Sequence, residues 1–194
     1  RHRGGFTPFT CALAGVAAPG APAVIVVRAR DPRPLPKPAG KQCPAYANFG
    51  TRYTRTTGIW QTVWMEPVPG AHLRRPRIAP DVAGRRFRLD QPIANPPAGA
   101  RLRAVLRDDR SEVASVEALA NADFTPHLDL PIPAGRVRLW SPDDPFLYDL
   151  RIELLDAKGR ALDAADSYAG LRGIALDGPV VMQARPGNMV VFNN

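Results

Sequence analysis

Apolar and polar positions alternate most cleanly between Ile59 and Glu66. Ile59, Gln61, Val63 and Met65 fall on one side, and Trp60, Thr62, Trp64 and Glu66 on the other. Period-two alternation rich in β-branched and aromatic residues predicts a strand over 59–66. Pro67 and Pro69 end it, because proline offers no N–H to a ladder. A hydroxyl-rich run at 53–57 and then Gly58 lead into it. Two of the chain's three tryptophans share one face of this stretch. They read either as core or interdomain packing or as a platform on which a sugar ring stacks.

Upstream the pattern is sparser. Residues 1–10 read as a glycine turn, Gly4-Gly5, opening an aromatic loop with Pro8 between Phe6 and Phe9. Residues 11–22 are a small-residue connection. The continuous apolar run Ala23-Val24-Ile25-Val26-Val27 has the length of a buried strand, and a strand is predicted over 23–30. Residues 31–45 hold five prolines and read as extended loop, followed by a polar loop over 46–57.

At Pro67-Val68-Pro69-Gly70 the texture changes, and a domain boundary is placed there. Beyond it, short strands are predicted at 84–89, 101–107, 113–116, 125–130, 136–139, 146–155 and 161–168. Leu102, Ala104 and Leu106 alternate with Arg101, Arg103 and Arg107, which gives one buried and one wet face. The segment 111–120 reads as a short helix or as a strand with a tail. About seven strands in about 100 residues is the signature of an immunoglobulin-like sandwich. No disulfide spans it, so it must rest on its core.

Composition narrows the function classes. The 194 residues are 45% hydrophobic, with 22 prolines and 16 glycines, which favours strands and turns over long helices. No apolar run approaches the 18 residues of a membrane helix. The net charge of +8 is uneven, with a surplus of seven over residues 1–69 and one over 70–194. The basic residues are scattered singly among proline and glycine, a pattern that argues against nucleic acid as partner. The chain opens at Arg1 without an initiator methionine or a signal-peptide pattern. Cys11 and Cys43 lack CxxC spacing and read as free thiols.

Candidate chemistry is thin. His2, His72 and His127 stand near no G-x-S-x-G elbow, no metal-ligand cluster is spaced for zinc, and no phosphate-binding glycine motif leads into a helix. No cofactor and no metal are expected. Asp143 and Asp144, framed by Pro142 and Pro145, read as turn formers rather than a catalytic pair. There are four glutamates, of which only Glu66 lies near the opening strand. The chemistry is therefore expected outside this chain.

Five stretches in order carry a family resemblance. They are Arg3-Gly4-Gly5-Phe6-Thr7-Pro8-Phe9; Gly40-Lys41-Gln42; Arg55-Thr56-Thr57-Gly58-Ile59-Trp60-Gln61-Thr62-Val63-Trp64; Trp140-Ser141-Pro142 with Pro145-Phe146-Leu147-Tyr148; and Ser167-Tyr168-Ala169-Gly170-Leu171-Arg172. Together they resemble glycoside hydrolase family 2, the β-galactosidase and β-glucuronidase group, over nearly the whole chain.

The resemblance implies an all-β chain: a partial jelly-roll β-sandwich followed by an immunoglobulin-like β-sandwich. Residues 1–68 would be the C-terminal part of a jelly-roll sugar-binding domain, 69–173 the immunoglobulin-like domain, and 174–194 the lead-in to a (β/α)8 barrel. That barrel, a partner missing from this sequence, would hold both catalytic glutamates, and the family's Asn-Glu dipeptide does not occur here. The loop 46–57 would reach the barrel mouth. Arg55, Tyr53 and Trp60 are the candidate carbohydrate contacts, Arg55 through a uronate carboxylate or, alternatively, as an interdomain salt bridge. An aspartate that the classical members place six residues before the motif glycine is replaced here by Arg52, so that contact is not carried over. A periplasmic or extracellular location is favoured over a cytoplasmic one. A partial jelly roll exposes strand edges, so it would pack on its neighbour or pair with another copy in a homo-oligomer.

Overall fold

The computed structural model describes residues 1–18, 20–32 and 38–174. The chain divides into two compact units, Arg1–Glu66 and a second beginning at Pro67. The expected lead-in at 174–194 falls, apart from Ile174, outside the described residues.

The second unit is a two-sheet sandwich. Its main strands are β2 (Arg77–Asp81), β3 (Arg86–Asp90), β5 (Arg101–Arg107), β6 (Glu112–Leu119), β7 (His127–Pro131), β8 (Tyr148–Leu155) and β9 (Ala161–Ala169). Two-residue strands β1 (His72–Leu73) and β4 (Ile93–Ala94) pair with each other. One main sheet runs β2-β3-β7 and the other β6-β5-β8-β9, with every pair antiparallel. The chain crosses between the two main sheets from β3 to β5, from β6 to β7 and from β7 to β8, an arrangement of the immunoglobulin-like kind.

Alternation produces the core. Phe87 and Leu89 on β3, Leu102, Ala104 and Leu106 on β5, Leu128 and Leu130 on β7, and Tyr148, Leu150, Ile152 and Leu154 on β8 form one buried cluster. Successive side chains point to opposite faces, so the intervening charged residues line the outer surfaces. There they pair across strands. Arg103 meets Glu153 at 2.5 Å, Arg151 bridges Glu153 and Asp166, and Arg101 stands 3.3 Å from Glu117. On the other sheet Asp81 holds Arg86 and Arg88, and Arg86 also reaches Asp129.

The β2–β3 hairpin turns through Gly84. A Cβ there would lie 2.6 Å from Asp81 Oδ2, the carboxylate that also accepts the Gly84 N–H. Tyr148 closes the sandwich near this hairpin, with its ring packed on Phe87 at 5.6 Å. Its buried hydroxyl donates to the Arg136 carbonyl at 2.7 Å and accepts from the Arg138 N–H at 2.8 Å. A tyrosine at the start of this strand reaching back to upstream backbone is the tyrosine corner of immunoglobulin-like domains.

Several expectations need correction. Of the two readings of 111–120, the strand is the one that forms, over Glu112–Leu119. Residues 136–139 do not form a strand: Ala134–Arg136 is a 3-10 turn, and Leu139 makes a single bridge to Leu171. Strand β2 was hidden in the sequence by Pro80, which is tolerated because β2 is an edge strand. In the first unit, neither 23–30 nor 59–66 joins a ladder. Among its described residues the β pairing is limited to the bridges Gln42–Tyr53 and Phe49–Arg52. A strand exists only where a neighbour takes its N–H and C=O groups. Without one, Val24, Ile25, Val26 and Val27 are left with 58–91% of their surface exposed.

Candidate functional site

Three glycine-bearing stretches, far apart in sequence, meet in the first unit. Phe6 from the first, Gly40 and Gln42 from the second, and Thr57, Gly58 and Trp60 from the third line a cleft of about 460 Å³. Trp60 Nε1 donates to the Gly5 carbonyl at 2.7 Å, which fixes the indole while its ring stays 66% exposed. Phe6 meets it edge-on, with ring centroids 6.3 Å apart. Gln42 Nε2 donates to the Thr56 carbonyl at 2.9 Å and to Thr56 Oγ1 at 3.2 Å, tying the second stretch to the third. Gly58 sits at φ 151°, a backbone angle that side chains disfavour.

The three sequence candidates fall in different settings. Trp60 is in the cleft. Tyr53 is exposed and contributes its backbone, accepting from Cys43 N and donating to Lys41 O. Arg55 is buried at 7% exposure. Its guanidinium pairs with the Asp31 carboxylate at 3.0 Å, hydrogen-bonds the Asp31 carbonyl, and lies 5.9 Å from the Tyr46 ring centre. Its Nε has no hydrogen-bond partner. The geometry therefore brings Trp60 together with Phe6 and Gln42, and not with Arg55. Phe6 and Gln42 lay within the family-like stretches but carried no individual signal, since neither hydrogen bonding across 14 residues nor ring packing across 54 is visible in local spacing. Of the cysteines, Cys11 is exposed and Cys43 buried, both free.

In the sandwich the remaining two stretches also meet. Trp140 N donates to Leu171 O at 3.0 Å, the Arg172 guanidinium lies 4.9 Å from the Trp140 ring centre, and a Cβ on Gly170 would stand 3.3 Å from the indole. Asp144 is held in its turn by Ser141 Oγ and paired with Arg138 at 2.7 Å. Hydrogen bonding to Arg138 lowers its pKa, and hydrogen bonding to Arg136 and then to neighbouring backbone N–H groups lowers that of Asp108 despite partial desolvation. Arg103 does the same for Glu153, and the Gly84 N–H, with Arg86, for Asp81. His127 shifts upward, mainly through its 2.7 Å hydrogen bond to Asp90. Among the described residues no group of three or more His, Cys, Asp or Glu side chains is placed to hold a metal, and no helix is long and apolar enough to cross a membrane.

A sequence profile of Glycosyl hydrolases family 2 matches residues 71–172, which is the sandwich just described. The chain belongs to this family. A relative, a β-glucuronidase of Paenibacillus borealis, is 24% identical over 192 residues, covering 91% of this chain and 30% of that protein. The chain thus spans less than a third of the curated relative's length. Similar solved structures include an FMN-binding β-glucuronidase from Facaelibacterium prausnitzii, 22% identical with a TM-score of 0.42, over 56% of this chain and 18% of that one. A family 2 member from Bacteroides cellulosilyticus is 21% identical with a TM-score of 0.46, over 56% and 16% of the two chains.

Proposed function

We propose that this chain is the non-catalytic sugar-binding and immunoglobulin-like section of a retaining family 2 glycosidase that cleaves β-glycosidic bonds, β-galactosidase-like, in carbohydrate metabolism. Residues 1–68 form part of its jelly-roll domain, 69–173 its immunoglobulin-like domain, and 174–194 lead toward a (β/α)8 barrel. The supporting observation is the family match over 71–172, on a sandwich whose displaced carboxyl pKa values all move downward. A retaining glycosidase needs two carboxyls about 5 Å apart, one kept protonated by a raised pKa to act as general acid. Carboxylates clamped by arginine are the reverse: they hold strands together and stay ionised. On this reading the sandwich spaces and orients other domains, and the first unit, through Trp60, Tyr53 and the loop carrying Arg55, contributes to carbohydrate recognition.

The test is turnover of nitrophenyl β-glycosides. The chain alone shows none, while the same chain extended through a barrel bearing the Asn-Glu dipeptide hydrolyses at least one. Turnover by the chain alone that persists through repeated purification contradicts the reading. The exposed aromatic cleft favours one alternative, a stand-alone carbohydrate-binding or adhesion module, for which a barrel-extended chain would be inactive on every glycoside while the short chain bound a glycan array.

A further inference from the structure

The cleft of the first unit has a chemical bias that the family match does not specify. Its aromatic wall is pinned in place: Trp60 Nε1 is committed to Gly5 O, so the indole offers a ring face rather than a donor. Phe6, 71% exposed, extends that apolar wall. Gln42 Nε2 is committed to Thr56, leaving the amide carbonyl as acceptor, and Thr57 adds a hydroxyl to the lining. None of the described lining residues is charged. The buried cation of this unit, Arg55, is engaged by Asp31 with 5% of its side chain exposed.

We propose that this cleft binds a neutral hexopyranoside and discriminates against a uronic acid. The proposal rests on the reading of the first unit as a carbohydrate-recognition section. A volume of about 460 Å³ lies within the range of about 300–1,000 Å³ typical of small-molecule sites. A pyranose has an apolar C–H face that covers an indole, and hydroxyl groups that donate to an amide carbonyl and exchange hydrogen bonds with a threonine. A carboxylate entering the same space would lose water and gain no counter-charge from the described lining residues, a large penalty. Preorganisation of Trp60 by its backbone hydrogen bond lowers the ordering cost of binding.

The experiment is a titration of the full 194-residue chain with methyl β-galactopyranoside, methyl β-glucopyranoside and methyl β-glucuronide, read by tryptophan fluorescence and by saturation-transfer NMR. At least one neutral glycoside is expected to bind saturably, about tenfold or more tighter than the glucuronide. Trp60→Ala abolishes binding, Gln42→Ala weakens it, and Trp64→Ala leaves it unchanged, with the sandwich melting as in the parent in all three. Glucuronide binding as tight as the neutral sugars, binding that survives Trp60→Ala, or no saturable response to either neutral glycoside overturns the proposal. Hydrolysis by the barrel-extended protein is scored separately, so an active enzyme with a silent cleft rejects only this inference.

Discussion

Residues 101–107 and residues 23–27 invite a comparison. Both are short and rich in apolar residues. The first lies between β6 and β8, so all its ladder positions are filled and Leu102, Ala104 and Leu106 are fully buried. The second has no ladder neighbour among the described residues and leaves Val24 91% exposed. The apolar content of 23–27 equals or exceeds that of β5. Hydrophobic pattern therefore states what a segment can bury, and partner strands decide whether it does. The sandwich supplies those partners internally; the described residues of Arg1–Glu66 do not.

The contrast is sharpened by core truncation. Leu150→Ala, in the middle of β8, is expected to cost about 2–5 kcal/mol and to lower the melting temperature of the sandwich markedly. Val26→Ala, with 87% of the side chain already exposed, should stay within about 0.5 kcal/mol. Equal losses for the two would break the comparison.

Next in size is the tyrosine corner. Tyr148→Phe keeps the ring packed edge-on against Phe87 and Phe146 but removes both hydroxyl hydrogen bonds. Leaving the part-buried Arg138 N–H and Arg136 carbonyl short of a partner should cost about 1–3 kcal/mol in chemical denaturation, with the slope against denaturant unchanged.

The pH profile follows from the outer-face charges. Asp81, Asp108, Asp144, Glu153 and Asp156 all have folded pKa values below their ordinary ones. Their contribution is present above the unfolded values, 3.8 for aspartate and 4.5 for glutamate, and is lost as pH falls below these toward the folded values. His127 has the opposite sign. Its raised pKa, set by Asp90 on β3 and Asp129 on its own strand, with Arg86 also on Asp129, stabilises below 6.5, and that contribution fades as pH rises through the folded value. Thermal melts across the range should show a steep acid limb and a shallow decline above neutrality. His127→Gln should flatten the decline and spare the acid limb. An unchanged alkaline side in that variant would remove His127 from the account.

A local packing effect is expected at Gly170. An added methyl would meet the Trp140 indole at 3.3 Å, so Gly170→Ala should cost about 1 kcal/mol, and Gly170→Val more, because the indole is also held by Arg172. Tryptophan near-UV dichroism reports the shift directly.

Most of the sandwich was legible in the sequence because charged residues alternate with apolar ones on β3, β5 and β8, and alternation is a local signal. What escaped was non-local. Pro80 disguised an edge strand, the acceptable place for proline in a sheet. Residues 136–139 carry alternation, Val137 and Leu139 against Arg136 and Arg138, yet form a corner that Tyr148 closes from another strand. At 59–66 the pattern was as clean as any in the chain, but no ladder forms there, since pairing depends on strands the local sequence does not name. The candidate site was legible to the same degree. Trp60 stood out as an aromatic on an alternating stretch. The burial of Arg55 depended on Asp31, 24 residues upstream, and the cleft on Phe6 and Gln42, which only the folded chain brings beside the indole.

Hydrogen–deuterium exchange of the full chain, resolved by peptide mass spectrometry, separates the two regions most directly. The account predicts slow exchange over residues 86–90, 101–107 and 148–155, which are paired on both sides, and exchange near the unprotected rate over 23–30 and 59–66. Protection of 23–30 comparable to that of 101–107 would contradict it.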